Sequence, residues 1–304
     1  MKNLALFIIL LIVGSCERGK KSTSEIELNQ EDAFYIVEVD STEQAEVISL
    51  QDNMQDVQSM ELPEYKGKLD ELPDLTEFRP SNFVNDSLDI GILKDADIDS
   101  YPYSTSGLLL VDDRNGRTFS CSCQFVSKTV VLTAAHCLYD KKRRIELRNI
   151  RVLQGYRNGN FRKRHVASRW GMSPRYDSAK KTSDEARYDY AFIKVRSSSD
   201  WGNLGLITSH GTSGVTVMGY PSNIKRGNVL QQFIQNTSNR LPYNMFVISN
   251  SGNFYKGSSG GAWFTRDYNA MSVTSMGFTT SNGYKILVGS IFDSHTWDLY
   301  DNVK

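Results

Sequence analysis

Residues 130–137 read Val-Val-Leu-Thr-Ala-Ala-His-Cys, and this stretch decides how the rest of the chain is interpreted. The apolar, β-branched start predicts a buried strand. The small side chains of Ala134 and Ala135 then allow close packing beneath the imidazole of His136, which follows at once. A histidine can exchange a proton near neutral pH, so His136 is a candidate general base.

Short β-rich runs recur between turn signals from about residue 100 to the C-terminus. Such a pattern predicts an all-β sandwich or barrel. A division near residues 197–199 would give two similar halves, and residues 295–303 could form a short closing helix. The turn signals, where Gly and Asn tolerate positive φ, are Asp112-Asp113-Arg114-Asn115-Gly116, Arg157-Asn158-Gly159-Asn160 and Ser281-Asn282-Gly283.

An aspartate opens an apolar strand after this histidine in the chain. Residues 189–195 read Asp-Tyr-Ala-Phe-Ile-Lys-Val. Asp189 is therefore a candidate for the carboxylate that orients an imidazole and stabilises its cation. Asp177 and Asp184 lie nearby and are the alternatives, although neither precedes a buried strand.

A serine lies in a glycine-rich loop near the end of the chain. Residues 257–264 read Gly-Ser-Ser-Gly-Gly-Ala-Trp-Phe, and the glycines permit the tight backbone that a nucleophile at Ser259 needs. The string also satisfies G-x-S-x-G, the nucleophile elbow of α/β-hydrolases. An elbow enzyme would have to use His295 as its base, and the chain lacks the alternating βα pattern of that fold.

These motifs resemble those of the chymotrypsin-like serine peptidases, over roughly residues 101–304. Thr-Ala-Ala-His-Cys, the aspartate strand and Gly-Ser-Ser-Gly-Gly occur in the family's order, and Gly219-Tyr220-Pro221 is similar to the bacterial glutamyl-endopeptidase or V8-like branch. The resemblance implies an all-β chymotrypsin-like fold of two six-stranded antiparallel β-barrels with a short C-terminal helix. It also implies a triad of His136, Asp189 and Ser259, with the amides of Gly257 and Ser259 as the oxyanion hole.

The cysteines and Ser258 show how far the resemblance extends. In the family, a disulfide between cysteines with the separation of Cys121 and Cys137 braces the histidine loop, so the resemblance implies this pairing here. Such a disulfide would stabilise the folded state by about 3 kcal/mol. Cys123 lies on the same strand face and could compete. A zinc site is the alternative use of the cysteines, but no partner has suitable spacing.

Ser258 replaces the aspartate that pairs with the new N-terminus in trypsin-type zymogens, so activation by that ion pair is not expected.

The family spacing also indicates a substrate pocket. No acid stands near its base to select Lys or Arg, and Thr274 occupies the position of the histidine found in glutamyl-specific relatives. A pocket for small or apolar side chains is the remaining hypothesis. The residues assigned to it are Asn253, Phe254, Thr274, Ser275, Met276 and Gly277.

The N-terminal part of the chain has the features of an exported protein. Lys2 and the short apolar run at residues 4–13 predict a signal peptide, and Val13-Gly14-Ser15-Cys16 resembles a bacterial lipobox with lipidation at Cys16. A plain signal peptide is the alternative. Residues 16–90 carry 19 acidic and 6 basic side chains, a net charge of −13 in a chain whose total is zero. We expect a weakly ordered acidic leader, either a propeptide or a linker.

The predicted organisation is therefore a signal peptide (1–15), an acidic leader (16–95) and a peptidase domain (96–304), with barrels at about 96–198 and 199–304. We predict a serine endopeptidase that cleaves protein or peptide substrates through an acyl-enzyme intermediate. We predict that a lipid anchors it in the bacterial cell envelope, at the periplasmic face or the cell surface. A non-catalytic binding lipoprotein and a serine esterase are the alternatives. We expect no cofactor, no metal and no nucleic-acid partner, since the basic residues are scattered.

Overall fold

Two curled β-sheets and three helices make up the part of the chain that the computed structural model describes. That part is residues 34–40, 54–64, 91–209, 214–239, 246–249, 254–279 and 285–304. The predicted Cys16, Asn253 and the turn at residues 281–283 lie outside it.

The first sheet closes into a six-stranded barrel. The sheet has eight strands, of which six form the barrel and two, β1 and β2, pair with it. They are β1 (Tyr35–Glu38), β2 (Gln58–Ser59), β4 (Ser106–Asp112), β5 (Thr118–Phe125), β6 (Val130–Thr133), β9 (Arg148–Gln154), β10 (Lys163–Met172) and β11 (Ala191–Val195). Neighbours pair in the order β10-β11-β6-β5-β4-β9, and β9 pairs with β10 again, which closes the ring. A short separate hairpin is formed by β7 (Tyr139–Asp140) and β8 (Ile145–Glu146).

Two of the predicted turns join strands of this barrel. In the β4–β5 turn the carboxylate of Asp113 accepts hydrogen bonds from the amides of Asn115 and Arg117, at 2.8 and 2.9 Å, and Gly116 supplies a φ of +76°. In the β9–β10 turn, Asn158 and Gly159 both have positive φ. Both predicted turns are confirmed. They form at these positions because Gly and Asn tolerate the left-handed backbone region.

The second sheet is curled but does not close within the described residues. Its strands are β3 (Lys94–Asp95), β12 (Gly205–Leu206), β13 (Val215–Gly219), β14 (Gln231–Gln235), β15 (Ser238–Asn239), β16 (Phe246–Ser249), β17 (Ala262–Phe264), β18 (Asn269–Thr279) and β19 (Lys285–Gly289). They follow the order β15-β16-β19-β18-β17-β13-β14-β3, with β12 paired to β18. The chymotrypsin-like fold is confirmed, and in the described residues this half is a curled half-barrel sheet in which β3 pairs with the outer edge of β14.

Three helices complete the described fold. They are α1 (Pro174–Ser178), α2 (Thr182–Tyr188) and α3 (Ser294–Val303). The closing helix was predicted, and a capping box between Asp293 and Thr296 begins it. The other two were not predicted, since five and seven residues are too few to show a helical period. None of the helices in the described residues has the length and apolar character needed to span a bilayer.

Three described strands of the acidic leader, β1, β2 and β3, pair with the domain, whereas the sequence predicted weak order. Strand β1 forms an antiparallel ladder with residues 169–172 of β10, and Tyr35 stacks its ring 5.8 Å from that of Trp170. Ile36 lies over Gly171, where a Cβ would come within 2.5 Å of the Ile36 side chain. Ladder hydrogen bonds and aromatic contacts therefore order this segment despite the charge around it.

Candidate active site

His136 is held by the end of β6 and by a disulfide. The chain leaves β6 at Thr133 and enters a single 3₁₀ turn that contains the histidine. Cys121 on β5 is bonded to Cys137, with the two Cα atoms 6.3 Å apart, as the family resemblance implied. Cys123 is free and buried, and its thiol lies 3.3 Å from the carbonyl oxygen of Gly107. Burial raises the pKa of this thiol, which keeps it protonated.

Asp189 contacts His136 through both of its carboxylate oxygens. Oδ1 accepts a hydrogen bond from the backbone amide of His136 at 2.9 Å, and Oδ2 lies 2.7 Å from Nδ1 of the ring. The carboxylate is fully buried, and the hydroxyl of Ser275 donates to Oδ2 at 2.6 Å. The three contacts fix the imidazole so that Nδ1 faces the carboxylate and Nε2 is left for other chemistry.

The alternative carboxylates lie elsewhere. Asp177 accepts a hydrogen bond from the hydroxyl of Tyr139 at 3.0 Å and pairs with Arg144. Asp184 is exposed in the first turn of α2. Of the three aspartates considered from the sequence, Asp189 is the one bonded to His136.

The Ser259 loop packs directly against the turn that carries His136. Gly260 has a φ of +77°, and a Cβ there would lie 2.2 Å from Oγ1 of Thr133 and 2.8 Å from the amide nitrogen of Ala134. The carbonyl of Ser259 accepts a hydrogen bond from the Ser122 amide of β5 at 2.8 Å. Only a glycine permits this approach, which brings the serine of the second sheet next to the histidine of the first.

Further hydrogen bonds hold the backbone of the loop that carries Ser259. The Ser122 hydroxyl donates to the carbonyl of Gly257 at 2.7 Å and accepts from the amide of Tyr220 at 2.8 Å. The Ser258 hydroxyl donates to the carbonyl of Tyr255 at 2.6 Å. Ser258 therefore bonds within its own loop, at the position where trypsin-type zymogens use an aspartate.

The nucleophile candidate is covered in this structure. Ser259 is 0% exposed, and neither its Oγ nor Nε2 of His136 makes a hydrogen bond within the described residues. The amide of Gly257 does have a partner, since it donates to the carbonyl oxygen of Met60 in the leader at 3.0 Å. No pattern in the sequence predicts this contact.

The described residues that were predicted to line the pocket make specific contacts in the structure. Phe254 is 3% exposed, and its ring packs edge-on against Phe233 in the core of the second sheet, at 5.0 Å. Thr274 is buried and accepts a hydrogen bond from the indole of Trp263 at 2.9 Å. Met276 is also buried, and the amide of Gly277 donates to the carbonyl of Pro63 in the leader at 3.0 Å.

The two other histidines in the part of the chain that the structure describes do not join the site. The basic run Arg162-Lys163-Arg164 before His165 predicts a solvated hairpin. That prediction is wrong, because His165 is fully buried in the first barrel, with Nε2 3.0 Å from Oε1 of Gln154. Burial lowers its pKa. His295 lies in the first turn of α3, where its amide donates to Asp293.

One group of metal-ligating residue types lies close together in the described residues. It consists of Cys121, His136 and Cys137. The two sulfurs are bonded to each other, so neither is the thiolate that a zinc site requires. The group is a disulfide beside a histidine.

A closed barrel and a curled second sheet, with a carboxylate-bound histidine and a glycine-flanked serine where they meet, define a chymotrypsin-like serine peptidase. A family model described as Trypsin matches residues 96–294, and the chain belongs to this family. The protein is a serine endopeptidase. No protein of curated function matches the sequence.

Solved structures share the fold at low sequence identity. The protease Anisep from Arthrobacter nicotinovorans is 20% identical, with a TM-score of 0.57, and the match covers 70% of this chain and 99% of that one. The thermostable serine protease AL20 from an extremophilic microorganism is 22% identical, with a TM-score of 0.54, covering 66% and 96%. A Glu endopeptidase is 17% identical, with a TM-score of 0.55, covering 71% of this chain and 99% of that one.

Proposed function

We propose that this endopeptidase hydrolyses peptide bonds through Ser259, His136 and Asp189 and an acyl-enzyme intermediate. The observation that carries the proposal is the 2.7 Å contact between Nδ1 of His136 and the buried carboxylate of Asp189. It leaves Nε2 on the side of the ring away from the carboxylate. The packing of Gly260 against Thr133 supports the placement of Ser259 beside that ring.

The chemistry proceeds in two halves. Ser259 Oγ attacks the scissile carbonyl carbon while Nε2 of His136 takes the hydroxyl proton. His136 then gives that proton to the departing amine, and the acyl group stays on Ser259. Water repeats the sequence in reverse, with His136 again as base and then acid, and releases the carboxylic acid. Asp189 keeps the proton on Nδ1 and stabilises the imidazolium in both halves.

The backbone amides of Gly257 and Ser259 form the oxyanion hole of the proposal. Each donor of this kind lowers the barrier by about 3 to 4 kcal/mol when it points at the developing charge. Gly257 supports this role, because its amide already holds a carbonyl oxygen at 3.0 Å.

Labelling of the full-length chain with a fluorophosphonate tests the nucleophile, because it requires a single reaction with the serine. We expect one label, located at Ser259 by mass spectrometry, and none in Ser259→Ala. Peptide turnover should fall on the order of 10⁶-fold in that variant if the triad acts as a unit. Wild-type proteolysis by Ser259→Ala would disprove the assignment.

The two alternatives predict other results. A binding module that kept only the fold would not be labelled, although the contacts around Asp189 favour a working site. An esterase that used His295 as base would lose activity in His295→Ala and keep it in His136→Ala.

Substrate preference and location stand on the sequence. We propose a primary pocket for small or apolar side chains, and a peptide library cleaved mainly after Glu or Arg would contradict it.

We also propose that Cys16 carries lipid and anchors the protein in the cell envelope, since more than one acyl chain gives stable attachment. Mass spectrometry of the mature N-terminus, compared with Cys16→Ser, checks this, and an unmodified cysteine would refute it.

A further inference from the structure

We propose that leader residues 58–64 are a built-in inhibitor that fills the substrate cleft. The inference rests on the proposed function, because it takes the amide of Gly257 as an oxyanion donor. It adds a mode of regulation that needs no ion pair with a new N-terminus.

The segment passes from the first sheet to the second across the active site. Gln58 and Ser59 pair in parallel with Phe119 and Ser120 of β5, and the Met60 amide donates to the Ser120 carbonyl at 2.8 Å. Four residues further on, Glu64 forms a parallel bridge with Gly277 of β18. The leader is thus attached on both sides of the loop that carries Ser259.

A carbonyl of this segment occupies a donor that the substrate needs. The Met60 oxygen accepts the hydrogen bond of the Gly257 amide at 3.0 Å. An amide N–H makes one well-aligned hydrogen bond, so the carbonyl of a substrate and that of Met60 exclude each other. The amide of Gly277 is likewise occupied, because it donates to the carbonyl oxygen of Pro63.

Side chains of the segment fill the space beside both donors. Ser59 Oγ lies 3.2 Å from the point where a Cβ on Gly257 would stand, and Leu62 Cδ2 lies 2.8 Å from the corresponding point at Gly277. Leu62 also packs against the apolar cluster that contains Phe254. Ser259 is 0% exposed in this arrangement, and the amide two residues before it is held by the Met60 carbonyl.

Because the segment belongs to the same chain as the peptidase domain, covalent attachment raises the fraction of time for which it occupies the cleft. The 26 residues from 65 to 90 join the segment to the peptidase domain. Covalent attachment gives a segment an effective concentration that reaches the order of 1 mM, and at that concentration a segment with an intrinsic Kd of about 0.1 mM fills the cleft about nine-tenths of the time. The exposed pair of Glu61 and Lys256 contributes little to this affinity.

The contacts fit an inhibitor better than a substrate. The peptide bond whose oxygen sits at Gly257 is Met60–Glu61, so this is the bond that would be cut. Within the residues that the structure describes, neither Ser259 Oγ nor His136 Nε2 makes a hydrogen bond, so the two atoms are not bonded to each other in this arrangement. The carbonyl is therefore held at the donor without the proton transfer that cleavage requires.

The test compares rates of fluorophosphonate labelling at Ser259 in full-length proteins. Leu62→Asp removes the apolar contact at Gly277, and Met60→Pro removes the amide that bonds Ser120. We expect each to be labelled at least tenfold faster than wild type. Leu62→Met and Glu38→Ala, the second of which alters the same leader at β1, should stay within twofold of wild type. The peptide Val-Gln-Ser-Met-Glu-Leu-Pro-Glu, residues 57–64, should slow labelling of Leu62→Asp, and its Leu→Asp form should not.

Three results would overturn the inference. Folded Leu62→Asp and Met60→Pro proteins labelled at the wild-type rate would show that the segment does not block the cleft. A new N-terminus at Glu61 in the purified protein, absent from Ser259→Ala, would show that it is a substrate. Absence of label at Ser259 in every variant would remove the proposed function itself, which distinguishes that failure from the other two.

Discussion

The hydroxyl of Ser275 donates a hydrogen bond to Oδ2 of Asp189 at 2.6 Å, the same oxygen that faces Nδ1 of His136. Ser275 lies on β18 of the second sheet, and Asp189 lies two residues before the start of β11 in the first. One oxygen therefore links both halves of the fold to the imidazole. The sequence placed Ser275 at the edge of the substrate pocket, and the structure gives it a positioning role as well.

Ser275→Ala should slow the reaction without abolishing it. A hydrogen bond to a buried charged group contributes about 1.5 to 3 kcal/mol, so we expect a loss of roughly tenfold or more in kcat and little change in KM. The rates are compared in one leader background, so that occupancy of the cleft cancels. A rise in KM at constant kcat would instead support a role in the pocket alone.

Gly260→Ala should be far more damaging than Gly116→Ala, although the two glycines have nearly the same φ, +77° and +76°. The backbone cost of that φ, about 1 to 2 kcal/mol, is common to both. At Gly116 a Cβ meets nothing within 4 Å, whereas at Gly260 it meets Thr133 and Ser122. We therefore expect about 3 kcal/mol or more for Gly260→Ala, measured by denaturant unfolding. Equal losses would show that the loop can move away from the histidine turn.

Loss of the Cys121–Cys137 disulfide should lower the free energy of unfolding by about 3 kcal/mol, as expected for a loop closed over a separation of 16 residues. The double variant Cys121→Ser/Cys137→Ser is compared with Cys123→Ala, which keeps the bridge. Addition of a reductant should destabilise wild type and Cys123→Ala but leave the double variant unchanged. Reductant sensitivity of the double variant would contradict the pairing.

Acidification should destabilise the first barrel through His165. Burial lowers its pKa in the folded state below the ordinary value, so the unfolded chain binds the proton more readily. This contribution to stability is fully present above about pH 6.5 and is lost as the pH falls below it. Between pH 7.5 and 5.5 we expect wild type to lose about 1 kcal/mol more than His165→Gln, measured by urea unfolding at each pH. The same loss in both proteins would exclude this histidine as the cause.

The local motifs predicted the fold and the proposed site residues, but not the contacts made between distant segments. The strand ending at Thr133, the two hairpin turns and the Cys121–Cys137 pair follow from residue types or from the family motif they form. The pairing of β3 with β14, the bond from Ser275 to Asp189 and the docking of Met60 at Gly257 depend on which distant segments meet. Such choices are decided by tertiary packing, which a single sequence does not display locally. His165 was misjudged for the same reason, since its basic neighbours suggested solvent while its own side chain points into the barrel.

Strand β1 has a practical consequence for anyone trimming this protein. The family match begins at residue 96, so a recombinant form cut there would leave the backbone of residues 169–172 on β10 without the partner that β1 supplies. A bare strand edge is a template for pairing with another molecule, and here it would adjoin the apolar surface that Tyr35 and Ile36 normally cover. Preparations of the shortened enzyme should therefore be prone to self-association, and retaining the chain from residue 34 onward should keep them monodisperse.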